Sequence, residues 1–252
     1  MACSPISRSA PQLDPRLEAL PFPLPQHRQI HTLDPALILT EGSGVFGRGQ
    51  HTTEANNCTP QAQVAMLQLD ALKLFALRTT GCIAREQDQG FSTLALITAG
   101  EPSHYSNSGR SHELSPASLF LNPRQGGAVS TGYLAGIFCQ IEHRQLQRTL
   151  AAMRPEQAPL PLERAWILRA EAQGQQPSSS LRPLLALFGF INSLLGEHPH
   201  LPDALGLGEQ IQRLLALNLL QAAGLPIPQR QRRPMAWNSN LDTLVDVVRA
   251  NR

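Results

Sequence analysis

Histidines are the residues of this sequence best suited to hold a transition metal, and their spacing decides whether they would do so. In the part of the chain with β-like segments, His104 and His112 form the only close pair, with Glu113 beside the second. The segment has no HxH core, and its sequence EPSHYSNSGRSHEL is typical of a hairpin tip. A ligand set drawn from different strands (His51, His104, His112) stays open as an alternative, but we predict no metal site.

A glycine-rich motif points to a second kind of chemistry, the binding of phosphate groups. The sequence GSGVFG at 42–47 matches the pattern GxGxxG. A dinucleotide site needs a helix that begins on these glycines, whereas residues 48–60 are polar and end at a proline. A protein kinase is excluded too, because no HRD or DFG motif follows and the single lysine, Lys73, lies 26 residues after Gly47. The motif therefore predicts a turn between strands.

Nucleophilic catalysis finds no signature in the sequence. There is no GxSxG motif, and the four cysteines lie far apart without a CxxC pair: Cys3, Cys58, Cys82 and Cys139. We interpret them as buried or idle thiols. His198 and His200 in EHPHLPD are interpreted as solvent-facing loop residues. We therefore expect neither a catalytic residue nor a cofactor.

Composition limits the classes of partner. The 252 residues include 21 Lys plus Arg and 19 Asp plus Glu, a net charge of +2, and the arginines are scattered, so bulk charge does not support nucleic-acid binding. A hydrophobic share of 42% predicts a globular chain with a sizeable core. The N-terminus has no apolar signal-peptide core, and no stretch approaches the roughly 20 apolar residues that span a bilayer. We expect a cytoplasmic protein.

The elements that would position any site change character along the chain. Seven prolines predict an irregular arm over residues 1–35. Short β-like segments follow at 36–39, 64–69, 72–78, 91–98, 117–122 and 132–141, which is typical of a β-sandwich or barrel. The alternation is clearest where Leu72, Leu74 and Ala76 would face one way, and the intervening Lys73, Phe75 and Leu77 the other.

Helical periodicity replaces this alternation after residue 142. A short helix is predicted at 143–153, and a second begins at Leu181, with apolar residues at the spacing of one buried face. A third helix, predicted at about 209–222, would form an antiparallel hairpin with the second. The last segment, 240–252, also has the pattern of an amphipathic helix, and a single apolar stripe of this kind needs a partner surface.

The order of these features is similar to a known family. The stretches VFGRGQH, LITAGEP, PASLFLNP, GYLAGIFCQI, LRPLLALFGFINSLLGE and LGEQIQRLLALNLL together resemble the N-terminal half of AraC-type transcription regulators, and NLDTLVDVVRANR resembles the first helix of their DNA-binding domain. The resemblance covers residues 36–252. It implies a cupin-like barrel that senses a small molecule, a helical hairpin used in dimerisation, and a C-terminal pair of helix-turn-helix motifs. That pair is missing here, so DNA binding is in doubt; Arg230, Arg232 and Arg233 are interpreted as a solvated spacer.

We therefore predict an α+β chain in four parts. These are the arm (1–35), a cupin-like β-barrel or sandwich (36–142), a helical dimerisation region (143–225), and a linker with the stub of a DNA-binding helix (226–252). The predicted function is a noncatalytic effector-sensing and dimerisation module that lacks most or all of the DNA-binding domain. Its predicted protein partner is a second copy of the chain or a related regulator, and its predicted ligand is a small-molecule effector.

The side chains assigned to dimerisation are those of the second helix's apolar face: Leu184, Phe188, Ile191 and Leu195. In this arrangement the face packs on the barrel or on the partner helix, and the outward residues meet the second subunit. The pocket residues for an effector are left unassigned. Two alternatives stay open, a cupin-type metalloenzyme with a helical tail, and a remnant without a ligand whose barrel interior is filled by side chains.

Overall fold

The structure is a computed structural model of the chain. It describes residues 13–27, 31–33, 51–52, 61–70, 72–86, 91–107, 110–122, 127–156, 158–162, 165–168 and 181–225. Several predicted features therefore lie outside the described residues: Cys3, the strand at 36–39, the glycine motif at 42–47, Cys58, the spacer with Arg230, Arg232 and Arg233, and the helix at 240–252.

Strands dominate the described residues up to 142, and helices dominate those that follow. The strands are β1 His31–Leu33, β2 His51–Thr52, β3 Ala62–Leu69, β4 Leu72–Thr79, β5 Cys82–Glu86, β6 Phe91–Gly100, β7 Ser103–Asn107, β8 Arg110–Leu114, β9 Leu119–Asn122, β10 Gly127–Thr131, β11 Leu134–Glu142 and β12 Trp166–Leu168. The helices are α1 Pro15–Ala19, α2 His143–Met153, α3 Leu181–Glu197, α4 Leu201–Ala204 and α5 Leu207–Ala222. The predicted α+β class is confirmed.

The strands form two antiparallel sheets. The large sheet has seven strands in the order β1-β3-β4-β11-β6-β9-β12, and the small sheet has five in the order β2-β5-β10-β7-β8. Because β11 is the central strand of the large sheet, it is buried on both faces from Leu134 to Ile141. β12 joins this sheet from within the region predicted to be helical, pairing with β9.

Each face of the large sheet has its own apolar core. The outer face is covered by α2, α3 and α5 together with the N-terminal segment, and Leu72, Leu74 and Ala76 lie in this outer core. The inner face packs against the small sheet, and Phe75 and Leu77 lie in that inner core. The alternation predicted for β4 is therefore confirmed. The helices share the outer core with the sheet, so they do not form a separate hydrophobic unit.

The helix bounds follow local chemistry. α2 occupies the predicted residues 143–153, and α3 and α5 contact each other in the outer core. α5 begins at Leu207 rather than near 209, after Gly206 with a left-handed φ of 63°. A Cβ on Gly208 would lie 2.7 Å from the Leu69 carbonyl oxygen, so glycine lets the start of this helix approach the end of β3. A bilayer-spanning helix is not found in the part of the chain that the structure describes.

The part of the N-terminal arm that the structure describes contains two short regular elements, α1 and β1. Asp14 caps α1 by accepting hydrogen bonds from the backbone N–H groups of Arg16 and Leu17, and β1 pairs with β3. The Arg78 guanidinium donates to the carbonyl oxygens of Glu18, at 2.9 Å, and Leu20, at 2.5 Å. The prolines therefore ended regular structure locally, while long-range hydrogen bonds still hold the segment against the large sheet.

Several strands differ from the sequence prediction. β9 begins at Leu119, not 117, because Ala117 has a φ of 61° and lies in a turn. The β5, β8 and β10 strands were not predicted, and the hairpin expected around residue 108 is confirmed as β7 and β8. These strands belong to the small sheet, whose outer surface is polar, and short segments with one apolar face give a weak period-2 signal.

Candidate functional site

The inner face of the large sheet carries a continuous row of apolar side chains. Strand register places them side by side across β3, β4, β11, β6 and β9: Met66, Phe75, Phe138, Ala95 and Phe120. We call this set the aromatic row. Its three phenylalanines are buried, whereas Met66 is 57% exposed. Met66 lies beyond the residues of β3 that pair with β1, so the row opens to solvent at this edge.

A row of polar side chains lies two residues further along the same strands. Register aligns them from β3 to β6: Gln68, Lys73, Gln140 and Thr93. We call this set the polar row. Residues two apart on a strand share a face and are about 7 Å apart, so the polar row runs parallel to the aromatic row on the inner face.

Gln140 is the unusual member of the polar row. Its side chain is only 4% exposed, yet its amide makes no hydrogen bond to any described residue. The second buried glutamine, Gln212 on α5, instead accepts a hydrogen bond from Gln145 Nε2 at 3.0 Å. The two amide atoms of Gln140 are not among the fully buried unpaired side-chain atoms of the described residues, so the amide keeps a narrow contact with solvent. Gln140 therefore presents an amide, without a hydrogen bond to any described residue, at a point of the inner face that solvent still reaches.

The small sheet closes the other end of the aromatic row. Tyr105 on β7 is 1% exposed, and its ring lies 4.8 Å from the ring of Phe120, measured between centroids. The same tyrosine stacks on His112 of β8 with centroids 6.4 Å apart. Aromatic contacts from both sheets therefore form this part of the inner core. The polar row lies to one side of these contacts.

The histidines considered for a metal site do not converge. His104 and His112 lie on adjacent strands, but His104 alternates with the inward-facing Tyr105 and is exposed, whereas His112 stacks on that inward ring. One metal ion cannot contact both, because they occupy opposite faces of one sheet. The backbone of His51 pairs with Ala84 in β5, at the other edge of this sheet from β8. Among the described residues, no group of three metal-ligating side chains is close enough to hold an ion.

The four residues assigned to dimerisation lie on the inward face of α3. Leu184, Phe188, Ile191 and Leu195 are all at most 3% exposed and belong to the outer core of their own chain. In this position they hold α3 against the large sheet, and a second subunit would have to contact the outward residues of the helix. Dimerisation itself stays a prediction.

Cys139 has the character predicted for an idle thiol. It is 2% exposed on the outer face of β11, and burial raises the pKa of its thiol far above the ordinary value. The nearby His143 begins α2, and its Nδ1 lies 3.0 Å from the Ser92 hydroxyl. The loop residues His198 and His200 are exposed, as predicted.

Sequence reasoning missed both polar residues at the centre of the site. The one available signal was an amide within the otherwise apolar strand LAGIFCQIE, together with the fact that Lys73 is the only lysine. Neither signal indicates that β4 and β11 are neighbours. Only the register of the large sheet, in which Lys73 pairs with Gln140, brings the two together.

The chain was compared with known protein families, curated proteins and solved structures. No protein-family model matches the chain, and no curated protein matches it. Among solved structures, the chain is similar to the AraC-like transcriptional activator CuxR, with 11% sequence identity and a TM-score of 0.55 over 81% of this chain and 73% of that one.

Smaller overlaps occur with two further solved structures. A cupin-like protein from Thermotoga maritima is 12% identical, with a TM-score of 0.29 over 38% of this chain and 80% of that one. KdgF from a Halomonas species is 13% identical, with a TM-score of 0.29 over 38% of this chain and 90% of that one. The fold shared with an AraC-like activator agrees with the resemblance in the order of sequence features.

Proposed function

We propose that this chain is a cytoplasmic, noncatalytic sensing and dimerisation module of an AraC-type transcription regulator, and that it binds a small effector on the inner face of its large sheet. The observation that carries the proposal is Gln140, 4% exposed and without a hydrogen bond to any described residue. Small-molecule sites typically combine apolar walls with a few polar groups that orient the ligand. The aromatic row and the polar row are such a combination.

The sensing role is tested by ligand-dependent thermal stability. A compound library is screened against the wild type, against Gln140→Leu, and against the matched control Gln212→Leu, which alters a buried glutamine outside the site. An effector present at 100 times its Kd stabilises the folded state by about 2.7 kcal/mol. We expect this stabilisation in the wild type and the control, and its loss in Gln140→Leu.

Two results would contradict the sensing role. If no compound stabilises the wild type, or if each active compound stabilises Gln140→Leu equally, the inner face does not bind an effector. Stoichiometric iron, manganese or zinc in the purified protein would instead favour the cupin-type metalloenzyme.

The outward side of α3 supports the dimerisation role. Phe190 on this side is 38% exposed, and a Cβ on the adjacent Gly189 would meet no atom within 4 Å. Among the described residues, only Phe190 and Met66 are large hydrophobic side chains with such exposure. An exposed aromatic ring beside small residues suits a helix contact with a second copy or with the same helix of a related regulator.

Sedimentation equilibrium tests this contact. We expect Phe190→Glu to raise the dimer dissociation constant at least tenfold, because it places a charge in an apolar contact. Ser106→Glu, an exposed position on the small sheet, is the matched control and should leave the constant unchanged. A wild-type monomer at micromolar concentration, or an unchanged constant in Phe190→Glu, would refute the proposed surface. A heterodimer with a tagged related regulator should be weakened by the same substitution.

A further inference from the structure

Lys73 is a cation at the open end of the site, without an ionic partner among the residues that the structure describes. It alternates along β4 with Leu72 and Leu74, which face the helices, so it shares the inner face with Phe75. The residue is exposed, and no ion pair or hydrogen bond joins its ammonium group to a described residue. Because it is the only lysine of the chain, its place beside the buried amide is a specific feature of this sheet.

Three polar groups from three adjacent strands converge at this point. Lys73 pairs in register with Gln140, and Gln140 pairs with Thr93. Directly opposite residues of an antiparallel pair have Cβ atoms about 5 Å apart, so an ammonium, an amide and a hydroxyl lie within reach of one small group. Gln68, on the other side of Lys73, already donates its amide to the Asp70 carbonyl oxygen. It is therefore not counted among the available donors.

All three groups are able to donate hydrogen bonds, and one of them is charged. A carboxylate meets these donors with two oxygens: one oxygen pairs with the Lys73 ammonium while the other accepts from Gln140 Nε2 and the Thr93 hydroxyl. Hydrogen bonds to an ionised acceptor are roughly twice as strong as neutral ones. A phosphate dianion would need a second cation, and the guanidinium of Arg78 is directed to the outer side, where it binds Gln63 and the N-terminal segment.

The neighbouring aromatic row defines the rest of the ligand. Phe138 and Phe75 lie two residues along the same strands from Gln140 and Lys73, but both rings are buried. The apolar surface open to a ligand is that of Met66, which is 57% exposed and pairs with Phe75, about 7 Å from the carboxylate-binding groups. A ligand that uses both rows has its acid group only a few bonds from a flat or branched apolar body.

We propose that the effector is a small monocarboxylic acid with an aromatic or branched apolar body, bound through Lys73 and Gln140. This inference rests on the proposed sensing function and specifies its ligand. Lys73 pairs with the carboxylate, Gln140 and Thr93 orient it, and the exposed Met66 contacts the apolar body. Ligand binding thus supplies a hydrogen-bond partner that Gln140 does not have among the described residues.

The single lysine makes a direct test possible. Reductive methylation of the full chain with 13C-formaldehyde labels Lys73 and the N-terminal amine, and the Lys73 signal is assigned by its absence in Lys73→Arg. The probes are phenylacetate and 4-methylpentanoate, with phenylacetamide as the uncharged control of matched shape. We expect both carboxylates to shift the Lys73 signal in a saturable way, and phenylacetamide to leave it in place.

Affinities measured by calorimetry provide a second readout. Lys73→Met should weaken carboxylate binding about fivefold, as expected for one exposed ion pair, while Lys73→Arg retains it. Gln140→Leu should weaken binding at least tenfold, because it removes a buried, charge-assisted hydrogen bond. The control Gln212→Leu should bind as the wild type does. Equal binding of phenylacetamide and phenylacetate, or unchanged affinity in Lys73→Met, would overturn the assignment.

The test separates failure of the ligand class from failure of the function. If neither carboxylate binds but a neutral library compound stabilises the protein in a Gln140-dependent manner, the carboxylate proposal is wrong and the sensing function stands. If no compound of any class depends on Gln140, both proposals fail.

Discussion

Replacing Gln140 by leucine is expected to stabilise the ligand-free protein, although the residue lies in the centre of the large sheet. The wild-type amide is 4% exposed and has no hydrogen bond to a described residue. Burial of an unpaired polar group costs about 1–3 kcal/mol, and because the amide atoms of Gln140 are not among the fully buried unpaired atoms, we take the lower end of this range. Leucine has a similar volume and removes that cost. The gain of about 1 kcal/mol corresponds to a rise in Tm of about 2–4 °C for a chain of this size.

Urea unfolding followed by circular dichroism, with calorimetry for Tm, measures this effect. The matched control Gln212→Leu removes an amide that accepts a hydrogen bond from Gln145, so it should lower the free energy of unfolding by about 1 kcal/mol. The opposite signs of two Gln→Leu changes at buried sites are the decisive comparison. Gln140→Leu could instead lose as much stability as the control. That result would show that the Gln140 amide already has hydrogen-bond partners in the ligand-free protein, and the argument that a ligand supplies them would fail.

Three further outcomes follow from the same structure. Gly136→Ala should lower the free energy of unfolding by about 1–3 kcal/mol in urea titrations, since a Cβ there would lie 2.8 Å from the Leu96 carbonyl oxygen; wild-type stability would disprove this close approach. Burial alone would raise the pKa of Asp14, but hydrogen bonds from the Tyr133 hydroxyl and two backbone N–H groups outweigh it and lower the pKa. The ionised carboxyl therefore stabilises the fold above its usual pKa, and the Tm difference between wild type and Asp14→Asn should shrink as the pH falls below about 4; a constant difference would contradict it. Cys139, whose thiol pKa is raised by burial, should resist iodoacetamide in the native protein and react in urea, as mass spectrometry of its peptide would show.

Local chemistry made a large part of the fold predictable. The alternation of β4, the helix at 143–153 and the long apolar stripe of α3 were all expected, because side-chain periods of 2 and 3.6 are set by neighbouring residues. The same reasoning failed at β12 and at the N-terminal arm. A three-residue strand and a proline-rich segment have too little local signal, and each is held by partners far away in sequence, such as β9 and Arg78.

The candidate site, like β12, depends on partners that are far apart in the sequence. The sequence alone determined that the chain has a β-rich half followed by helices, that catalysis has no motif, and that lysine occurs once. It did not determine that Lys73, Gln140 and Thr93 form one row, because strand order and register depend on the packing of two cores against both faces of the large sheet. A shift of one residue in β11 would have moved Gln140 to the outer core, so only the tertiary structure decides that this amide faces the inner site.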